Sequence, residues 1–182
     1  MRAIKWIAII SALAVIGWEA ILYNHRLAFI PEELHVWRIL FANEEAWGLG
    51  PGGNETGFIM YSLPDDIAAK INTDGIAYLS SFPSAHLGKP HGWEGKYPEW
   101  HVTPIPPEDK KWFQIPASDE TTSVAKLTNY LDHYGFGISI DPDIEALFEK
   151  AITTPGSYYA YGRIGMIVVT PSIKRVFYLY AG

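Results

Sequence analysis

Between residues 86 and 101 the chain gathers imidazoles, carboxylates and indoles: His86, His91, Trp93, Glu94, Glu99, Trp100 and His101. Two chemistries suit such a set. Imidazoles and carboxylates that converge can hold a divalent metal. A pair of carboxyls set about 5–10 Å apart can hydrolyse a glycosidic bond, with indoles as sugar-stacking platforms. The spacing favours neither. Glu99 and His101 are two residues apart and share a face if extended, but no H-x-H or H-E-x-x-H is present. We therefore expect no metal and no cofactor. The plainest role for the His and Trp residues is to pack a long loop. Arg163 stands beside Tyr158, Tyr159 and Tyr161. Its guanidinium could fork onto a carboxylate or another anion, while the tyrosines suit cross-strand packing on a sheet face.

Two other motifs fail on context. Gly48, Gly50 and Gly53 fit G-x-G-x-x-G, a spacing that wraps phosphate when it follows a strand and opens a helix. Here a helical pattern precedes it and a strand pattern follows, and Pro51 removes one backbone donor. A helix stop and turn is the better reading. Ser157 follows Gly156 without a nucleophile elbow. The absence of Cys excludes disulfides, thiolate catalysis and iron–sulfur ligation. Asn54-Glu55-Thr56 has the glycosylation acceptor pattern, which matters only in a eukaryotic secretory pathway.

The surrounding chain sets where these residues can sit. Of 182 residues, 48% are hydrophobic and 19% charged, with a net charge of −6. From residue 27 onward there are 11 Lys and Arg against 19 Asp and Glu. A nucleic-acid binder needs a basic face to release counterions, so nucleic acid is excluded as a partner.

The N-terminus is apolar. Arg2 and Lys5 precede a run from 6 to 23 interrupted only by Glu19. That run approaches the ~20 residues needed to cross a ~30 Å hydrocarbon core. Trp6, Trp18 and Tyr23 suit the two interfaces. Glu19, four residues from the end, suits the outer headgroup region. A cleaved signal peptide fits less well because Trp18 would occupy the −3 position, and a buried soluble helix is seldom apolar all round. The expectation is an uncleaved anchor, N-terminus inside by the positive-inside rule.

Residues 31–45 show apolar spacing at Leu34, Trp37, Leu40 and Phe41, which predicts an amphipathic helix. Its polar side carries Glu32, Glu33, Glu44 and Glu45, so it should dock on the domain rather than on lipid. A strand at Phe58-Ile59-Met60-Tyr61, a helix opened by Pro64-Asp65-Asp66 and a strand at Ile76-Ala77-Tyr78-Leu79 predict a β–α–β unit. Seven prolines between 82 and 116 forbid a long helix there, with one strand-like piece at 101–105. A helix is expected over 121–134, a short strand over 136–140, and a second helix capped by Asp141-Pro142. Three strands should close the chain, at 157–164, 166–170 and 175–181, the last two as a hairpin.

The predicted fold class is α+β: an N-terminal transmembrane helix, then one domain with a mostly antiparallel sheet packed by two or three helices. The predicted parts are an anchor over 1–26, an amphipathic helix and Gly-rich connector over 27–56, and an extracytoplasmic domain over 57–182. The expected role is a single-pass, non-catalytic binding or accessory module with a protein partner at the membrane. In a bacterium the domain would be periplasmic on the inner membrane. The alternative is an anchored cell-envelope enzyme, glycan-acting through the 82–116 loop.

Overall fold

The computed structural model describes residues 2–46, 55–83, 95–109, 111–112, 125–133 and 137–182, with only the backbone described for 2–5 and 8. Its centre is one antiparallel sheet of six strands: β1 (Ile39–Ala46), β2 (Glu55–Ser62), β3 (Trp100–Val102), β4 (Tyr158–Tyr161), β5 (Gly165–Thr170) and β6 (Arg175–Ala181). The order across the sheet is β1-β2-β6-β5-β4-β3. β5 and β6 form the expected hairpin, paired from Gly165↔Tyr180 to Thr170↔Arg175.

Both faces of the sheet are covered, so its central strands are apolar on alternate sides without a polar set. Every residue of β5 is buried. Met166 and Val168 enter one layer with Phe58, Phe177 and Leu179, beneath α4 (Leu127–Leu131) and α5 (Pro142–Thr153). Ile167 and Val169 enter the other with Ile59, Tyr61, Val176 and Tyr178, beneath α2 (Asp65–Asp74) and α3 (Ile76–Ser80). α5 starts as expected: Asp141 Oδ1 accepts from the Asp143 and Ile144 amides at 2.9 and 3.4 Å.

The first helix, α1 (Arg2–Ala28), has 27 residues. Its last turn and the residues after it join the second layer, where Leu27, Phe29 and Ile30 pack. Its upstream part is uncovered: Trp6, Leu13, Ile16, Trp18 and Ile21 are each more than 60% exposed. Among the described residues, no helix is long and apolar enough to cross a membrane; the spanning segment expected over 6–23 is not met by those residues.

Four expectations are corrected. Residues 31–45 are not a helix. Only a short 3-10 turn, Glu32–Leu34, precedes β1, and Trp37 is 67% exposed. The cause lies in a bulge between Ile39 and Phe41. It turns the consecutive Leu40 and Phe41 toward the first layer, while Ile39 and Ala42 pack in the second. A bulge breaks the period of two, and the remainder imitates helical spacing. Residues 76–79 are helical, not a strand. Gly75, at φ +56°, ends α2 and starts α3, and Leu79 is buried. A four-residue apolar run does not distinguish the two states, so there is no β–α–β unit. The helix expected over 121–134 is α4 alone among the described residues, with 121–124 and 134 outside them. Residues 137–140 form no strand, and 136 lies outside the described residues.

Candidate functional site

β3 is the far edge strand, and its register sorts the residues around it. Trp100 lies opposite Ala160 and His101 opposite Tyr159. Neighbours on a strand face opposite ways. Trp100 therefore enters the second layer, where it is 6% exposed, with Tyr97 and Phe82 rings at 6.0 and 6.3 Å. Its indole is core, in keeping with a packing role and not with a stacking platform.

His101 faces the first layer and stacks on Tyr159, centroids 5.1 Å apart. Its Nε2 lies 3.9 Å from Glu99 Oε1, so the two share a side as the spacing implied. Glu99 is 79% exposed at its side chain, which leaves the pair weak. His91, Trp93 and Glu94 lie outside the described residues, as does the glycine stretch 47–54. The flanks of that stretch are described: β1 and β2 pair antiparallel up to Ala46↔Glu55. The glycines therefore join two strands, which is not the strand-to-helix context of a phosphate cradle. Among the described residues, no three His, Asp or Glu converge to hold a metal ion.

Arg163 belongs to a different place. It sits in the turn between β4 and β5, on a cleft of about 210 Å³ shared with Lys111, Tyr130, His133 and Tyr161. The Tyr161 hydroxyl donates to Asp109 Oδ2 at 2.6 Å, and the Lys111 amide donates to Asp109 Oδ1 at 3.0 Å. The Lys111 ammonium lies 3.9 Å from the Tyr161 ring centroid, a cation–π arrangement. Burial first, then the Asp109 hydrogen bond and charge, push the Tyr161 hydroxyl pKa far above its ordinary value. Burial and nearby Asp109, Glu108 and Glu99 push Tyr159 up to about 12. Sequence spacing does not point to Lys111, Tyr130 or His133. They come from separate segments, and no local spacing links them to Arg163.

A second polar cluster fixes α1 to the sheet. Arg26 Nε meets Glu44 Oε2 at 2.5 Å, and the Tyr180 hydroxyl donates to Glu44 Oε1 at 3.0 Å. The Tyr61 hydroxyl donates to the Arg26 carbonyl and Tyr97 to the Phe29 carbonyl, both at 2.7 Å. Phe29 stacks on Tyr178, 5.0 Å apart and 9° from parallel. Burial is the main cause that raises the pKa of Tyr61, Tyr97, Tyr178 and Tyr180. Of the residues assigned to a membrane interface, Trp6, Trp18 and Glu19 are exposed. Tyr23 is 38% exposed, and its hydroxyl donates to the Trp37 carbonyl. Glu44, read as part of an acidic helix face, is instead the central acceptor of this clamp.

Comparison with known proteins finds no matching family model, no similar curated protein and no similar solved structure.

Proposed function

We propose that this protein is an anchored binding module: α1 seats in a lipid bilayer and holds the sheet domain beyond it, outside the cytoplasm. One observation carries the reading. The described side chains of α1 from Trp6 to Ile21 are exposed and almost all apolar, with Glu19 the charged one. A rod that is apolar all round normally has an apolar surrounding. At about 1.5 Å per residue, a 27-residue helix is roughly 40 Å long, more than the ~30 Å hydrocarbon core. Among the described residues, no helix is long and apolar enough to cross. The complete run from 6 to 23 contains a single charged residue.

The clamp around Glu44 supports a rigid anchor rather than a tether. Arg26–Glu44, Tyr61 and Tyr97 bind the helix end and the residues after it to β1, β2 and the loop before β3, and Tyr180 of β6 braces Glu44. Binding in place of catalysis is favoured by the core position of Trp100 and the weak, exposed Glu99–His101 pair. The partner is a protein at the same membrane.

Fractionation of cells that make the full chain tests the anchor. The wild type should stay in the membrane pellet after an alkaline carbonate wash and leave it in detergent. A Leu13→Glu/Ile16→Glu variant should move to the soluble fraction, because a charge at the centre of a span costs about 2.5–3.5 kcal/mol. Release of the wild type by carbonate alone overturns the reading. Chemical crosslinking before detergent extraction should then recover a stoichiometric protein partner.

A further inference from the structure

We propose that the cleft beside the β4–β5 turn binds a small ligand through a carboxylate or phosphate head group. The site is local and runs against the charge of the chain around it. From residue 27 onward acidic residues outnumber basic ones, 19 to 11, and such a surface repels anions at long range. Yet Lys111, His133 and Arg163 line one cleft. They come from the proline-rich segment, the end of α4 and the strand turn. Only the packing of the first layer against the sheet brings them together.

Asp109, the carboxylate held by Tyr161 and Lys111, does not oppose an anion there as strongly as its formal charge suggests. Asp109 already accepts two hydrogen bonds, from the Tyr161 hydroxyl at 2.6 Å and the Lys111 amide at 3.0 Å. The same contacts set Lys111 over the Tyr161 ring, 3.9 Å from its centroid. That ring becomes a support that positions the ammonium. The raised Tyr161 pKa keeps its hydroxyl neutral, so no phenolate faces the ligand. Arg163 supplies the planar fork that matches two oxygens of a carboxylate or phosphate. Arg163 and His133 also make contacts within the protein, so an incoming head group adds to those contacts or exchanges with them.

Size narrows the ligand. The cleft holds about 210 Å³, below the roughly 300–1,000 Å³ of sites for drug-sized molecules. It fits the head group and a few further atoms, with the rest of the ligand left outside. Carboxylate and phosphate share the geometry, and the experiment separates them.

Full-length protein in neutral detergent is titrated calorimetrically at low ionic strength with inorganic phosphate and, separately, with succinate. Arg163→Gln and Lys111→Gln are titrated alongside, with circular dichroism melts of each. One probe should bind saturably, and each substitution should weaken it about tenfold or more, as expected for loss of a charge-assisted contact. The probe that binds names the ligand class. Raised salt should weaken binding further. NMR supplies a readout that does not depend on the variants: the bound probe should shift Tyr130 and Tyr161 ring signals and leave Tyr78, in the opposite layer, unmoved. The proposal is overturned if neither probe saturates below roughly 10 mM. It is equally overturned if binding survives both substitutions in folded protein, or if the ring shifts spread over both layers. None of these outcomes depends on the membrane reading, which the carbonate wash tests separately.

Discussion

Replacing Glu44 by Gln should loosen the grip of the domain on its N-terminal helix. The Arg26 and Glu44 side chains are 27% and 23% exposed, with Nε and Oε2 2.5 Å apart. At an effective dielectric near 20 the gross attraction at contact is about 4 kcal/mol. Desolvation and side-chain ordering remove most of that, and fully exposed pairs retain only about 0–1 kcal/mol. This pair is partly shielded and carries a second charge-assisted bond, from Tyr180 at 3.0 Å. A net contribution of about 1–2 kcal/mol follows. For a chain of this length each kcal/mol lowers Tm by about 2–4 °C. A double-mutant cycle with Arg26→Gln and Glu44→Gln should return a coupling of about 1 kcal/mol or more. A structural readout accompanies it. Spin labels at Leu13 and Ile173, both exposed, should give a narrow distance distribution in the wild type and a broader one in Glu44→Gln. A coupling below about 0.3 kcal/mol, with unchanged distance width, refutes the claim that this cluster fixes the helix.

Two further outcomes follow from the core. Burial raises the pKa of Tyr61, Tyr97, Tyr161, Tyr178 and Tyr180 in the folded state, so above pH ~10 the unfolded chain binds fewer protons than the folded one. Their contribution is complete below pH 10 and is lost as pH rises, by up to about 1.4 kcal/mol per unit for each of the buried Tyr61 and Tyr178 and by less for the partly exposed others; phenolate absorbance of these residues should appear together with loss of circular dichroism, and full ionisation in a native spectrum would refute it. Trp100→Ala should cost about 3–5 kcal/mol, because the indole is 6% exposed; an effect below about 1 kcal/mol in a chemical denaturation curve would return Trp100 to the candidate ligand contacts.

Much of the sheet is legible along the chain. β2, β4, β5 and β6 show as short runs of aromatic and β-branched residues bounded by Gly and Pro. Asp141-Pro142 marks the start of α5 through a cap whose hydrogen bonds reach only two and three residues ahead. β1 is not legible, because a bulge disrupts its alternation and leaves Leu40 and Phe41 on one side. The helical 76–80 segment is too short for its period to show. At the site, the local pair Glu99 and His101 is legible from its spacing, and Arg163 from its type. Lys111, Tyr130 and His133 are not, since their meeting depends on how three distant segments pack.

Local rules therefore decide what can be read within one turn or one strand: caps, breaks, the apolar N-terminal run, the missing thiols and the acidic balance. Those depend on covalent geometry, side-chain type and short-range hydrogen bonding. Partnership across the sheet is decided only by the folded core. The six-strand order and the β3–β4 register send Trp100 into the second layer and His101 toward the first. Glu44 meets Arg26, and Lys111 and His133 join Arg163, across sequence separations that no local period encodes. A strand bulge or a loop changes which residues face each other at little local cost, so contacts of this kind are selected by the packing of the whole domain.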